Sequence, residues 1–345
     1  MKKIALVSLA MTFLMGCTTT AINKSVDVQT LFSSKSNAEN KVWVGTFQLA
    51  FNDMKNNIIK KDVKFVGETP TDDLIGLNKA EFNKEMLNES SYYTSYGETK
   101  PSAKEKIKKD IKEKFDTTSE ILDTVDWSEG VGKYYAYAML KKQFDFLEKF
   151  DILEDASFNS SEAKFAYFGI TDNSKAELDK NISVLFHNDK NDYAVRLMTT
   201  NGDQVYLYRT DKDNSFDELY KEMIQGANNY TGNHKFSEID TFKAPKIKIK
   251  TDRKYPELCN KQIEGTDYIF TDAIETLELE LDEAGGKVKS EALLMMKTNA
   301  LFPMEDKVEP RHFDFDKTFV LFLVDSGKQD PYLALRIKDM NLFKK

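Results

Sequence analysis

The C-terminal stretch of this 345-residue chain constrains its fold more than any other part of the sequence. Apolar and acidic residues alternate over residues 274–281, as expected of a β-strand with one buried face. Gly285-Gly286 comes next and then a long segment without a clear period, residues 293–314. Two apolar runs close the chain, at 319–324 and 332–337. The sequence therefore predicts a strand, a glycine-marked hinge, a long exposed loop and a buried hairpin, in that order.

Further strands are expected in the middle of the chain. Three apolar runs, at 182–186, 193–198 and 205–209, are typical of short strands. Asn201-Gly202 lies between the last two runs and favours a tight turn, because both residues tolerate a positive φ. These runs predict an antiparallel set.

One long helix is predicted at residues 102–122. Ser102 and Glu105 have the spacing of a capping box at its start. Ile107 and Ile111 recur at helical spacing and predict an apolar face, while lysine and glutamate predict a solvated opposite face. Together with the strands, this helix indicates an α+β protein.

The order of the C-terminal segments resembles that of the serpins. In that family a strand ends in an acidic-glycine hinge and leads into the reactive-centre loop. A Phe-x-x-(basic)-x-Phe segment follows, and then a hairpin that ends in Arg-(apolar). Here Glu283 and Gly285 stand at the hinge, residues 313–319 look like the phenylalanine-rich segment, and Arg336-Ile337 ends the hairpin.

Earlier regions continue the resemblance. Residues 111–151 are similar to the serpin helix that lies over the main sheet and to the strand after it. Residues 242–249 look like the Pro-Lys strand, so that about residues 107–337 follow the serpin order. The resemblance implies an α+β serpin-like fold: large mixed and antiparallel sheets, helices packed on one side, and an exposed loop before a C-terminal hairpin.

The N-terminus has the features of a bacterial lipoprotein signal. Lys2 and Lys3 precede an apolar run, residues 4–15, that is too short to span a bilayer. The run ends in Leu14-Met15-Gly16-Cys17, which matches the lipobox, where cleavage precedes Cys17 and its thiol is diacylated. Two acyl chains hold a protein stably on a membrane. The second cysteine, Cys259, then has no partner, so a structural disulfide is excluded.

The predicted organisation has three parts: a signal peptide at 1–16, a flexible tether at 17–40 and a serpin-like domain at 41–345. The tether is expected because its Ser-, Thr- and Asn-rich composition lacks periodicity. The predicted location is the cell envelope, with the protein lipid-anchored on the extracytoplasmic face of a bacterial membrane. We expect a monomer.

The composition excludes several functional classes. The net charge is −8 and lysine is scattered along the chain, which argues against nucleic-acid binding. No enzyme motif, phosphate-binding loop or cofactor motif is present. The three histidines, His187, His234 and His312, stand in three separate loop-like contexts without metal-ligand spacing. The sequence therefore predicts a protein that is not an enzyme and that holds no metal or cofactor.

The resemblance implies a mechanism for a protease inhibitor. After a protease cuts the loop, the loop of an inhibitory serpin inserts into the main sheet as an extra strand. Alternate residues must then be small, because they enter the core. The hinge residues expected to matter are Glu283, Gly285, Gly286, Val288, Ser290 and Ala292, of which the last four share one face.

Counting as in the family places the bait bond among residues 297–300. Lys297-Thr298 would suit a trypsin-like protease, and Asn299-Ala300 a legumain-like one. Residues 293–296 (Leu-Leu-Met-Met) are bulky on both faces of an extended chain, which favours instead a degenerate serpin that does not inhibit.

Two other functional classes are alternatives to a protease inhibitor. One is a non-catalytic surface lipoprotein that binds a host molecule or another envelope protein. The other is a solute-binding lipoprotein of a transporter, which is disfavoured because the sequence lacks two βαβ lobes. Cleavage of the loop separates an inhibitor from a binding protein, since only an inhibitor gains stability when its loop is cut. The expected partners are thus a membrane, through Cys17, and a protease or another protein.

Overall fold

The structure is a computed structural model that describes residues 26–289 and 309–343. Its strands are β1 (Asp27–Val28), β2 (Lys41–Val44), β3 (Tyr92–Glu98), β4 (Tyr134–Leu140), β5 (Lys142–Asp145), β6 (Asp151–Ser157), β7 (Lys164–Gly169), β8 (Ile182–Asp189), β9 (Asp192–Met198), β10 (Gln204–Arg209), β11 (Thr241–Pro245), β12 (Ile247–Lys254), β13 (Ile274–Leu281), β14 (Gly285–Lys289), β15 (His312–Asp314), β16 (Phe319–Val324) and β17 (Pro331–Ile337).

The helices are α1 (Thr46–Asp53), α2 (Asp72–Lys79), α3 (Pro101–Phe115), α4 (Lys175–Leu178) and α5 (Phe216–Asn229). A π-helix, Met54–Ile59, continues α1. Short 3-10 turns lie at Lys84–Met86, Glu89–Ser91, Ile121–Asp123, Asp179–Asn181, Pro256–Leu258 and Met340–Leu342.

The largest sheet has seven strands in the order β1-β2-β17-β16-β10-β9-β8. Every residue of β16 and β17 is buried, which explains why both strands read as continuous apolar runs rather than alternating ones. The two strands pair in antiparallel register, so the predicted C-terminal hairpin is confirmed. The antiparallel set predicted from three apolar runs is also confirmed, as β8, β9 and β10.

Three smaller sheets complete the body. One has the order β15-β11-β7-β6, a second the order β12-β13-β14-β5, and the third consists of β3 and β4. In β13 the leucines at 277, 279 and 281 are buried, as the alternating sequence predicts. Phenylalanines from several sheets, among them Phe168, Phe242 and Phe315, join them in one continuous apolar core.

The long helix differs from its prediction at both ends. Lys100 precedes α3 and its side chain makes no capping hydrogen bond, while Pro101 takes the first helical position. The capping box predicted for Ser102 and Glu105 is therefore wrong. The helix ends at Phe115 because Asp116 adopts a left-handed conformation, with φ 47°. Its buried face contains Ala103, Ile107 and Ile111.

The structure corrects the predicted tether over residues 26–40. β1 pairs in parallel with β2, and Val28, Thr30 and Leu31 are buried. The carbonyl of Val28 also accepts a hydrogen bond from Arg253. These residues belong to the packed body because β1 supplies the edge strand of the large sheet, so the body begins no later than Val26.

The architecture is thus α+β, with a buried C-terminal hairpin. Within residues 26–289 and 309–343, no helix combines the length and apolar character needed to cross a membrane.

Candidate functional site: a hinge strand and the cleft beyond it

Three of the residues predicted as a hinge, Gly285, Gly286 and Val288, belong to the short strand β14, which is paired on both of its edges. On one side Gly286 and Val288 lie opposite Leu281 and Leu279 of β13. On the other side Val288 lies opposite Lys142 of β5. Both pairings are antiparallel, so β14 is a central strand of its sheet.

The two faces of β14 differ in side-chain size and exposure. Gly286 and Val288 are buried, whereas Lys287 is exposed. A Cβ added to Gly286 would lie 2.3 Å from Cζ of Phe144, so only a glycine fits there. Ser290, Ala292 and the proposed bait residues Lys297, Thr298, Asn299 and Ala300 lie outside the described residues, as does Cys17.

A tight connection of residues 282–284 joins β13 to β14. The carbonyl oxygens of Glu283 and Ala284 accept hydrogen bonds from the backbone of Phe150 and Phe146, at 2.8 and 2.9 Å. The Glu283 carboxylate lies 2.6 Å from Nζ of Lys246. Burial alone would raise the pKa of Glu283, but the hydrogen bond and positive charge of Lys246, together with a backbone hydrogen bond, outweigh burial, so the pKa is lowered. Glu283 therefore stays ionised and fixes this end of β14.

A cleft of about 1030 Å³ lies in line with β14, and Lys289, its last residue, lines it. β4 forms one wall and residues 274–278 of β13 form the other. Phe47 and Phe51 of α1 contribute to its lining, as do Leu122 and Trp127 of the segment after α3. At one end the rings of Tyr134 and Tyr268 meet edge to face, with centroids 5.5 Å apart.

Both walls present strand edges to the cleft. Among residues 26–289 and 309–343, β4 pairs only with β3, and residues 274–277 of β13 pair only with β12. An open strand edge carries backbone donors and acceptors that can pair with another strand. The cleft thus has the geometry to receive an extended chain between β4 and β13.

Glu275 lies on the core face of β13 and lines this cleft. Its carboxylate accepts hydrogen bonds from the Tyr255 hydroxyl at 2.8 Å and from the backbone N–H of Phe47 at 3.0 Å. Burial raises the pKa of Glu275 to about 7, although both hydrogen bonds oppose the shift. Glu275 therefore connects the wall of the cleft to the first turn of α1.

A buried charge cluster lies beneath β14. Nζ of Lys142 is 2.7 Å from the Asp203 carboxylate and 3.5 Å from that of Asp325. Asp325 also accepts hydrogen bonds from the backbone and side-chain nitrogens of Asn88, both at 2.9 Å. Burial raises the pKa of Asp203 to about 6 and that of Asp325 to about 7, with Lys142 opposing both shifts. Lys142 is thus the shared cation of two buried carboxyl groups, those of Asp203 and Asp325, next to β14.

Sequence reasoning missed these buried groups. The acidic residues of 274–283 mix both faces of a strand and are most simply interpreted as its solvent face and its exit. An indirect signal exists, because Glu275 shares the odd-numbered positions of Leu277 and Leu279. Lys142 carries no comparable signal, since its partners come from distant turns.

The described part of the chain shows no group of three His, Cys, Asp or Glu side chains able to hold a metal ion. Its cysteine, Cys259, is a free thiol whose pKa is raised by burial.

Comparison with known proteins gives similarity in structure only. No protein-family model matches the chain, and no curated protein matches it. A cleaved serpin 42Da is similar with a TM-score of 0.53 and 9% identity, over 88% of this chain and 92% of that one. Serpin48 of the insect Tenebrio molitor gives a TM-score of 0.48 at 10% identity, over 88% and 93%. The coverage and TM-score of the first comparison, together with the sheet order described above, give the conclusion that this chain has a serpin-like fold.

Proposed function

We propose that the protein is a membrane-anchored protease inhibitor that works by inserting the segment after β14 into the adjoining cleft. The observation that carries the proposal is the position of β14: it is already paired on both edges, and the cleft continues its path between two open strand edges. A small displacement of the chain would therefore extend an existing strand and would not have to create one.

Continuing the register of β14 specifies the neighbours of each inserted residue. Glu278 faces Lys289 and Lys142 faces Val288, so residue 292 would lie between Glu275 and Ala138. Ser290 and Ala292 would share the buried face of Gly286 and Val288. Both are small, as entry into a core requires.

The bulky residues 293–296 are compatible with this cleft because apolar side chains line both of its faces. Even-numbered positions would meet the α1 side, near Phe47 and Phe51. Odd-numbered positions would meet the segment after α3, near Leu122 and Trp127. The same register brings residue 296 opposite Tyr134, the first residue of β4. The peptide bonds at Lys297-Thr298 and Asn299-Ala300 would then lie just beyond the end of β4.

Limited proteolysis with a melting experiment tests the proposal. Lipid-free protein from Thr18 onward would be cut with trypsin or with a legumain-like protease, and the nick mapped by mass spectrometry. We expect a nick within residues 290–308 to raise the melting temperature by about 10 °C or more, because each kcal/mol gained shifts it by roughly 2–4 °C. A protease should also remain attached in a denaturant-stable complex.

Two substitutions on opposite faces sharpen this test. Ser290→Glu would force a charged side chain toward the core and should abolish the gain in melting temperature. Glu291 already carries this charge on the wetter face, and Glu291→Gln should leave the gain intact. A nick that gives no gain in the unsubstituted protein would contradict insertion and support the alternative, a surface lipoprotein that binds a protein or host ligand.

Membrane anchoring is part of the proposal and depends on Cys17. We expect full-length protein expressed in bacteria to partition into the membrane fraction, and Cys17→Ala to move it to the soluble fraction, because diacylation supplies the anchor. Met15→Leu keeps the lipobox and serves as the control. Equal partitioning of the Cys17→Ala variant and the unsubstituted protein would contradict the assignment.

A further inference from the structure

Arg311, directly before β15, has unusually many hydrogen-bond and ion-pair partners. Arg311 is buried, and its guanidinium pairs with the buried Asp240, Nη2 to Oδ2 at 2.7 Å. It also donates to the carbonyls of Asn233 and Lys235, at 2.5 and 2.6 Å. We call this set, Arg311 with Asp240, the Arg311 clamp.

The Arg311 clamp fixes β15 to the sheet. The Arg311 N–H donates to Asp240 at 3.0 Å, and the Arg311 carbonyl accepts from Thr241 at 3.0 Å. β15 has only three residues, 312–314, and pairs in parallel with β11. Three residues of parallel pairing hold weakly by themselves, so the attachment depends on the clamp together with the buried ring of Phe313.

The fold gathers all three histidines around this clamp, although they are far apart in sequence. His187 of β8 stacks on Tyr193 and meets the ring of Phe313 at 5.4 Å. His234 lies between Asn233 and Lys235, whose carbonyls accept hydrogen bonds from Arg311. Its Nδ1 is 2.9 Å from the carbonyl oxygen of Val184. His312 directly follows Arg311, with Nδ1 2.9 Å from the Thr241 hydroxyl.

Histidine is the side chain that ordinarily gains charge between about pH 8 and pH 5. Burial lowers the pKa of His187, and the positive charge of Arg311 lowers it further, while Asp240 and Asp189 oppose this. Of the other charged groups nearby, Asp314 on β15 pairs with Lys243 on β11 at 3.7 Å. The clamp is therefore balanced, one cation to one carboxylate, only while His187 is neutral.

From this geometry we infer that the Arg311 clamp is an acid-sensitive attachment, which holds residues 309–314 to β11 at neutral pH and releases them when His187 is protonated. The sign follows from the direction of the shift. A histidine whose folded-state pKa is lowered stabilises the attached form above its ordinary pKa of about 6.5, and this stability is lost as the pH falls. The inference goes beyond inhibition and does not require the cleft to accept a strand.

Hydrogen exchange of the lipid-free protein from Thr18 onward, read by mass spectrometry at several pH values, tests it. After correction for intrinsic exchange, we expect the protection of residues 309–314 to fall between about pH 7.5 and pH 5.5, because a group whose folded-state pKa is lowered loses its stabilising effect as the pH falls. Protection of β16, which lies in the same C-terminal segment, should change less.

Substitutions identify which residues cause the pH dependence of protection. His187→Phe keeps a ring between Tyr193 and Phe313 but cannot be protonated, so most of the pH dependence should disappear. His234→Asn and His312→Asn retain polar contacts and are the controls, which should leave the pH dependence in place. Asp240→Asn should imitate acid at about pH 7.5 by removing the carboxylate charge.

The inference is overturned if protection of residues 309–314 follows that of β16 at every pH, or if His187→Phe retains the full pH dependence. A failure of Asp240→Asn to fold leaves the His187→Phe comparison decisive. The readout is confined to residues 309–314, so its failure is distinguishable from a failure of cleft insertion, which is read by melting after cleavage.

Discussion

Replacing Lys142 by methionine is expected to lower the free energy of unfolding by about 3–5 kcal/mol near pH 8, the range for removing one partner of a buried ion pair. The substitution keeps the length of the side chain but leaves Asp203 and Asp325 without their shared cation. Both carboxyl groups are nearly inaccessible to solvent, so water cannot replace the ammonium group. The loss would be measured by denaturant unfolding.

The same substitution should become less damaging in acid. Burial raises the pKa of Asp203 to about 6 and that of Asp325 to about 7 in the intact protein. Carboxyl groups with raised pKa values contribute stability that is fully present below their unfolded value of about 3.9 and lost as the pH rises through the folded value. Removing Lys142 raises both values further, so the difference between variant and parent should shrink from about pH 8 to about pH 5.

Lys180→Met is the matched control for Lys142→Met. Lys180 pairs with Glu148 at 2.9 Å, but both side chains are about half exposed, and a solvated pair contributes little. We expect its unfolding curve to follow that of the parent at both pH values. If Lys142→Met were equally harmless, or if its cost did not depend on pH, the charges of Asp203 and Asp325 would have to be compensated by other groups.

Gly285→Ala is expected to detach β14 from its sheet. Gly285 has φ 152°, and a Cβ there would lie 2.1 Å from the carbonyl oxygen of Phe144 and 2.8 Å from Cα of Asp145. Both are backbone atoms of β5, so no side-chain rotation relieves the clash. We expect a cost on the order of 2–3 kcal/mol, the upper part of the range for a strained backbone.

Hydrogen exchange and melting check the Gly285 prediction together. Protection of residues 285–289 should be lost while β16 and β17 keep theirs, because a five-residue strand can leave the sheet without unfolding the core. Gly67→Ala is the control, since Gly67 also has a positive φ, 74°, but an added Cβ would meet nothing within 4 Å. Retained protection of β14 in Gly285→Ala would contradict the described pairing with β5.

The sequence predicts those parts of the fold whose signal is local. β16 is a continuous apolar run and β13 alternates strictly, and both patterns report directly on burial. β14 could not be predicted as a strand, because Gly-Gly-Lys-Val-Lys has low strand propensity and one of its two partner strands, β5, lies about 140 residues away. Tertiary pairing outweighs local preference at this position.

At the end of α3 the local pattern predicts more regular structure than the fold contains. The apolar residues Ile121 and Leu122 continue the helical spacing, yet they belong to a separate 3-10 turn that lines the cleft. Helical periodicity could not reveal the break, because it depends on the left-handed conformation of Asp116. The site was therefore predictable as a hinge in sequence, but neither its cleft nor the buried Glu275 was.

The order of strands in the large sheet has a consequence for how the chain becomes folded. β17 lies between β2 and β16, so the strand from residues 41–44 acquires its second neighbour, beside β1, only after residues 331–337 have been synthesised. Contacts between residues so distant in sequence form slowly. A nascent chain would consequently lack its central strands until β16 and β17 have emerged, and a truncation before β16 should yield an aggregation-prone species rather than a smaller native domain.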